Sequence, residues 1–212
     1  MAQSNFAFRF LKLNLGLFVY GIGIAMMVHA SIGLAPWDVL AQGISKQTGL
    51  SFGQSTIAVS VMVLMAWIPL KVKPGIGSIL NAVLLGVFAD FWLPLMPKLD
   101  GYLFQLLWFV LGLLVISFAT GLYISCGMGK GPRDGLNTGI AQRFRLPFWQ
   151  ARSIVEVIVV VVGFLLGGQV REGTLIFAFA IGYLNQLGLR LFKLVDRSEE
   201  RRVGKECLRL CR

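Results

Sequence analysis

Long apolar stretches, each ended by a short polar or glycine-containing segment, alternate along the whole chain. Six of them approach or exceed the length of about 20 residues that a helix needs to cross a lipid hydrocarbon core. They run through residues 11–29, 54–70, 76–96, 102–125, 149–168 and 173–192. The pattern predicts an all-α protein, a polytopic transmembrane bundle with six spans.

The chain also contains an internal repeat at a spacing of 96 residues. Segment 33–40, Gly-Leu-Ala-Pro-Trp-Asp-Val-Leu, returns at 129–136 as Gly-Lys-Gly-Pro-Arg-Asp-Gly-Leu, and the same offset aligns further glycines without gaps. We therefore divide the chain into a first transmembrane repeat, 1–100, and a second, 101–196. Because an odd number of spans separates equivalent positions, we expect two inverted three-span repeats, an arrangement typical of transporters.

A short helical segment follows the shared motif in each repeat. Segments 36–45 and 132–143 are too short to span a bilayer, which predicts re-entrant or interfacial half-helices. Pro36 and Pro132 suit the first helical position, where a missing N–H group has no partner to lose. Asp38 and Asp134 then lie in the first turn, where a carboxylate opposes the positive end of the helix dipole and can accept backbone N–H groups.

The composition supports a membrane protein. Hydrophobic residues make up 56% of the chain and charged residues only 14%, whereas soluble domains carry about 25% charged residues. The net charge of +10 could suggest nucleic acid, but the basic residues stand at the ends of apolar spans, so we expect membrane lipid and no nucleic acid as partner. With the N-terminus inside, most of them fall on the cytoplasmic side, which predicts a multi-pass inner-membrane protein with both termini cytoplasmic.

Several charged residues lie where a membrane makes them costly. Asp90 and Glu156 fall within predicted spans, and such residues usually face the interior of a bundle. Glu156 could instead pair with Arg152 one turn away, and Asp90 with the neighbouring repeat. Arg133 could pair with an acid, bind an anionic group or serve only as a topology determinant.

The two Pro-x-Asp turns have two interpretations that the sequence leaves open. The carboxylates of Asp38 and Asp134 could cap the interrupted helices, or they could face a central cavity and bind a cation, a proton or an amine. The sequence shows no catalytic motif, nucleotide-binding loop or cluster of His and Cys residues. We therefore expect neither an enzyme nor a bound metal or cofactor.

Residues 197–207 change abruptly to a charged run. This run resembles the in-frame translation of a widely used short-read sequencing adapter, so we interpret residues 197–212 as a non-native tail. A genuine basic cytoplasmic tail would fit the predicted topology equally well.

At the two Pro-x-Asp motifs the chain resembles the YczE/YyaS/YitT family of bacterial integral membrane proteins, and more closely its YczE-like branch. The resemblance covers residues 6–193. It implies a multi-pass bacterial inner-membrane protein whose biochemical role is not established.

Together these features favour a transporter-like protein with a small-molecule or ion site between the two half-helices. The residues expected at that site are Pro36, Asp38, Asp90, Pro132, Arg133, Asp134 and Glu156. The alternative is a non-transporting scaffold or regulatory subunit of another membrane or biosynthetic complex, in which the acids would be internally paired and no cavity would connect the half-helices. The sequence leaves a homodimer open.

Overall fold

The computed structural model describes residues 5–192, which form eight α-helices and no β-strand. The helices are α1 (Phe6–Ala30), α2 (Pro36–Thr48), α3 (Phe52–Ala66), α4 (Ile76–Trp92), α5 (Tyr102–Ile124), α6 (Pro132–Phe144), α7 (Phe148–Leu165) and α8 (Glu172–Leu191). A short 3-10 turn, Leu93–Leu95, extends α4. Segment 197–212, interpreted above as a non-native tail, lies outside the described residues.

Five helices are long and apolar enough to cross a membrane: α1, α4 with its extension, α5, α7 and α8. Helix α3 has only 15 residues and follows α2 after a bend of 115°, so the bent pair forms either a sixth, broken span or a re-entrant loop. Each half-helix, α2 and α6, has 13 residues. The all-helical fold with five or six candidate spans is thereby confirmed.

The helix boundaries repeat with the sequence. Residues 6, 36, 52 and 76 begin α1 to α4, and each helix from α5 to α8 begins 96 positions after its counterpart. Pro36 and Pro132 occupy the first position of α2 and α6, as expected for a residue that has no N–H group to leave unpaired. Gly49 and Arg145 end these half-helices at equivalent positions with left-handed backbone angles.

The centre of the fold is the close contact between α1 and α5. Gly16 packs against Tyr123, and Gly23 packs against Gly112 and Ile116. Among these contacts, a higher residue number in α1 goes with a lower residue number in α5, so the two equivalent helices run antiparallel. Small residues let the two backbones approach closely, as at many helix interfaces in membranes.

Each helix break is held by the start of the last helix of the other repeat. The N–H group of Gly173, in α8, donates to the carbonyl of Ile32 at 2.9 Å, and that of Gly77, in α4, donates to the carbonyl of Met128 at 2.9 Å. These two hydrogen bonds occupy equivalent positions in the repeat. Since backbone groups in lipid must be satisfied within the protein, each repeat completes the broken segment of the other.

Two hydroxyl groups extend this exchange. Thr174 Oγ1 accepts from the N–H group of Leu34 at 3.2 Å, and Ser78 Oγ donates to the carbonyl of Lys130 at 2.6 Å. The breaks pass so close to these helix ends that only glycine fits at their bends. Gly33 and Gly129 have φ angles of +134° and +135°, and an added Cβ would lie 2.7 Å from the Thr174 nitrogen or 2.9 Å from Ser78 Oγ.

The two repeats differ at one helix pair. Helices α3 and α4 pack tightly where Gly53 meets Gly86, and a Cβ on either glycine would overlap the carbonyl oxygen of the other. The corresponding helices α7 and α8 have almost no contact with each other. Trp149, which is 66% exposed, replaces Gly53 there, and Gly182, the counterpart of Gly86, faces open space.

This difference predicts opposite responses to the same substitution at equivalent positions. Gly86→Ala should destabilise the protein by about 1–3 kcal/mol, because the new methyl group has to push α3 and α4 apart. Gly182→Ala should be neutral or stabilising by up to about 1 kcal/mol, because alanine favours an open helical position. Thermal unfolding of the detergent-solubilised full chain measures both effects. Similar losses of stability for the two variants would contradict the described difference between the α3–α4 contact and the α7–α8 contact.

Candidate functional site

A polar cavity of about 70 Å³ lies where the entries of the two half-helices meet, which is room for only a few water molecules. Ala35 and Trp37 border it from the first motif, and segment 131–134 borders it from the second. Helices α7 and α8, which scarcely touch, both contribute to its wall. Its polar lining residues are Tyr20, Asn81, Thr120, Tyr123, Arg133, Asp134, Asn137, Arg152, Glu156 and Asn185.

An ion pair joins the two half-helices. Arg133 Nη2, in α6, lies 3.1 Å from Asp38 Oδ1, in α2, and the Asp38 side chain is 2% exposed. The guanidinium of Arg133 also lies over the ring of Trp37, 5.6 Å from its centroid, where a cation is attracted to the ring face. Arg133 therefore pairs with the acid of the other repeat, and not with its sequence neighbour Asp134.

Asp134 has a weaker set of partners than Asp38. Its carboxylate accepts one long hydrogen bond, from the Tyr123 hydroxyl at 3.4 Å, and no described Lys, Arg or His side chain lies within ion-pair distance of it. The side chain faces the cavity. Asp134 is thus the acid at this site with acceptor positions still open.

The structure does not show the helix caps that the two Pro-x-Asp turns suggest. No backbone N–H group among residues 5–192 donates to the carboxylate of Asp38 or Asp134. Both lie at the third helical position, after the cap positions Ala35 and Gly131, and their side chains turn toward Arg133 and Tyr123. They remain close to the positive ends of the two helix dipoles.

Trp67 packs against the start of the second half-helix, α6. A tryptophan at the end of a span usually lies at the membrane–water interface, but Trp67 is buried and only 2% exposed. Its indole N–H donates to the carbonyl of Pro132 at 3.1 Å, and its ring packs against Gly135. The internal repeat could have indicated this contact. The residues equivalent to Trp67 and Gly135 are Gly163 and Val39, and these also pack against each other, with the glycine on the other helix of the pair.

The remaining acids of the predicted site have different positions. Glu156 pairs with Arg152 at 2.8 Å, one turn away as expected, and both line the cavity. Asp90 lies apart from the cavity lining, where it accepts hydrogen bonds from the Ser51 hydroxyl and from the Gly53 N–H group, the latter at 2.6 Å. The alternative in which Asp90 pairs with the neighbouring repeat is wrong, because both of its described partners, Ser51 and Gly53, belong to the same repeat.

Three asparagines at the cavity were not singled out from the sequence. Asn137 is 2% exposed, and the Oδ1 atoms of Asn137 and Asn185 accept no hydrogen bond from any described residue. Asn81 lines the same cavity. A comparison of the repeats would have exposed them, because each asparagine replaces an apolar residue. Their counterparts are Ala41 for Asn137, Ala89 for Asn185 and Phe177 for Asn81.

Comparison with known proteins places the chain in a family. Residues 7–189 match a family of unknown function, DUF6198. The chain belongs to this family. An uncharacterized protein of Haemophilus influenzae (strain ATCC 51907 / DSM 11121 / KW20 / Rd) is 38% identical over 173 residues, which cover 82% of this chain and 79% of the relative.

Two relatives from Bacillus subtilis (strain 168) extend the comparison. The uncharacterized membrane protein YczE is 29% identical over 192 residues, which cover 89% of each chain. The uncharacterized protein YyaS is 25% identical over 198 residues, which cover 92% of this chain and 98% of the relative. No solved structure matches the chain significantly. These relatives and the apolar helices identify this DUF6198 protein as a YczE-like, multi-pass membrane protein.

The buried pair of Asp38 and Arg133 predicts strong coupling. Arg133→Met should destabilise the protein by about 3 kcal/mol, because it leaves an unpaired charge in a buried site. The double variant Asp38→Asn with Arg133→Met should lose less than that single variant, because no lone charge remains. Unfolding measurements on wild type, both single variants and the double variant test this. Additive losses would contradict a direct pair.

Proposed function

We propose that this protein is transporter-like and that a small solute or ion crosses the membrane through the central cavity. The observation that carries the proposal is a single polar cavity bordered by the entries of both half-helices. Interrupted helices that meet at one site expose helix ends and polar side chains to a solute, as in many secondary transporters. On this proposal the protein is not an enzyme, and its site binds substrate without a resident cofactor.

The proposed architecture is a pair of inverted repeats in the bacterial inner membrane with both termini in the cytoplasm. Two features support opposite orientations of the repeats: the antiparallel run of α1 and α5, and the reciprocal hydrogen bonds of Gly173 to Ile32 and of Gly77 to Met128. The positive-inside distribution of Lys and Arg supports the placement of the termini.

Alternating access is the proposed mechanism. The two repeats would rock against each other, so that the cavity opens to one side of the membrane at a time. The described structure has the α3–α4 seam closed through Gly53 and Gly86, while α7 and α8 stand apart. Asp90 contributes to the closed seam because it receives hydrogen bonds from the first residues of α3, so its proposed role is to stabilise that seam.

The alternative, a non-transporting scaffold or regulatory subunit, has one specific observation in its favour. Three of the four intramembrane acids are internally paired: Asp38 with Arg133, Glu156 with Arg152, and Asp90 with the start of α3. Asp134 and the cavity do not fit this role, because a scaffold needs neither a weakly paired acid nor a polar space between its half-helices. We therefore favour transport.

Opposite orientation of the repeats predicts that equivalent half-helix ends face opposite sides of the membrane. Single cysteines at Lys46→Cys and Arg143→Cys should react with a membrane-impermeant maleimide from opposite sides of intact cells. Both native side chains are exposed. The background chain carries Cys207→Ser and Cys211→Ser and keeps the buried Cys126. Labelling of both positions from the same side would contradict the inverted arrangement.

Transport predicts a solute flux that depends on the cavity acid. Cells that express the wild-type chain should differ from vector controls in the uptake or efflux of at least one solute in a broad panel. Asp134→Asn should abolish that difference, because it removes the cavity carboxylate that faces the solute. Asp100→Asn is the control, an exposed carboxylate in the loop before α5 that does not line the cavity, and should retain flux at equal expression. Identical profiles for all strains would contradict transport.

A further inference from the structure

We infer that the cavity between the half-helices binds a small cation that donates several hydrogen bonds, an ammonium group, with Asp134, Asn137 and Asn185 as its acceptors. This inference rests on the site of the proposed function and names the class of its ligand. It depends on three independent features of the lining: its charge balance, its unpartnered acceptors and its size.

The charge balance at the cavity favours a cation. Five charged groups belong to the site: Arg133, Arg152, Asp134 and Glu156 line the cavity, and Asp38 pairs with Arg133 from outside the lining. The formal sum is therefore −1. Both arginines are already engaged, with Asp38 and Glu156 respectively, so Asp134 is the charge that remains without a counterion. A cationic ligand neutralises it, whereas an anion would have to displace an existing ion pair.

The fully buried side-chain atoms at this site that lack a hydrogen-bond partner among the described residues are two amide oxygens. Asn137 lies in the second turn of α6, four residues beyond Arg133, and its buried amide oxygen has no donor among the described residues. Asn185 contributes a second such oxygen from α8. A buried polar group left without a partner destabilises the folded protein. A cation with several N–H groups can satisfy both oxygens and the Asp134 carboxylate together, whereas an organic cation without N–H groups, such as tetramethylammonium, cannot donate a hydrogen bond to any of them.

The dimensions and walls of the cavity limit the ligand further. A volume of about 70 Å³ accommodates a group the size of a few water molecules. The rings of Tyr20 and Tyr123 lie beside each other, with centroids 6.3 Å apart, and both line the cavity. These features fit a small primary ammonium group and exclude a bulky solute from the described cavity.

The positive ends of the half-helix dipoles would by themselves favour an anion. In this chain each end already has a carboxylate in its first turn, Asp38 in α2 and Asp134 in α6. The helix ends therefore serve to hold these carboxylates in the interior. The ligand meets Asp134 and not a free helix end.

The test compares two cations of equal charge on the purified full-length wild-type protein. Methylammonium carries three N–H donors, and tetramethylammonium carries none. We expect methylammonium chloride to raise the unfolding temperature in a saturable manner, because a ligand that binds the folded state stabilises it, and we expect tetramethylammonium chloride to give no saturable effect. Equal shifts with both salts, or none, would overturn the inference and would mean that water alone satisfies the acceptors.

Substitutions then assign the effect to named atoms. Asp134→Asn should weaken methylammonium binding by about tenfold or more, because it removes the negative charge and replaces one acceptor oxygen with an amide NH2 group, and Asn137→Leu should weaken it by about fivefold, because it removes the amide oxygen. Asp100→Asn, an exposed carboxylate outside the cavity lining, should bind as wild type does. Unchanged binding in both cavity variants would place the ligand elsewhere and overturn the inference. The comparison of the two cations on wild type stays decisive even if a variant does not fold.

Binding and flux separate this inference from the proposed transport. Selective methylammonium binding without any Asp134-dependent flux supports the inference and contradicts transport. An Asp134-dependent flux of a solute that lacks N–H donors, with no selective methylammonium binding, overturns the inference and supports transport.

Discussion

A break in a helix frees backbone N–H and C=O groups, and a membrane offers them no water. This chain breaks twice, after α1 and after α5, and each break is completed by the start of the last helix of the other repeat. Among the described residues, the backbone groups at positions 32 and 34 and at positions 128 and 130 are paired by the other repeat. The exchange therefore fixes how the two halves sit against each other, and the position of everything near the breaks depends on it.

The ion pair of Asp38 with Arg133 follows from this exchange. Because each break docks on the opposite repeat, the two half-helices begin close together, and a side chain at the start of one reaches the start of the other. The same geometry leaves Asp134 beside Tyr123 without a cation. The carboxylate at the start of α2, Asp38, is thus paired with an arginine of the other repeat. The carboxylate at the start of α6, Asp134, lines the cavity instead.

The helices α5 to α8 begin 96 positions after α1 to α4, but substitutions make the chemistry of these two sets of helices unequal. Trp149 in place of Gly53 accompanies the separation of α7 from α8, and Asn137 and Asn185 replace two alanines. Most of the polar cavity lining belongs to the second repeat, so the site is one-sided although the fold is repeated. Because the polar lining is asymmetric although the helices repeat, the cavity offers one site and no second, equivalent site.

The sequence alone determined the helical class, the span positions to within a few residues and the half-helix starts at Pro36 and Pro132, because apolar length and proline chemistry act locally. It also predicted that Asp38 and Asp134 lie in the first turns of the half-helices, and it offered the pairing of Glu156 with Arg152, one turn away, as an alternative. Only the tertiary structure decided that Arg133 pairs with Asp38, that Asp90 serves the α3–α4 seam and that Trp67 is buried. These contacts join residues far apart in the chain, and their geometry depends on how whole helices pack.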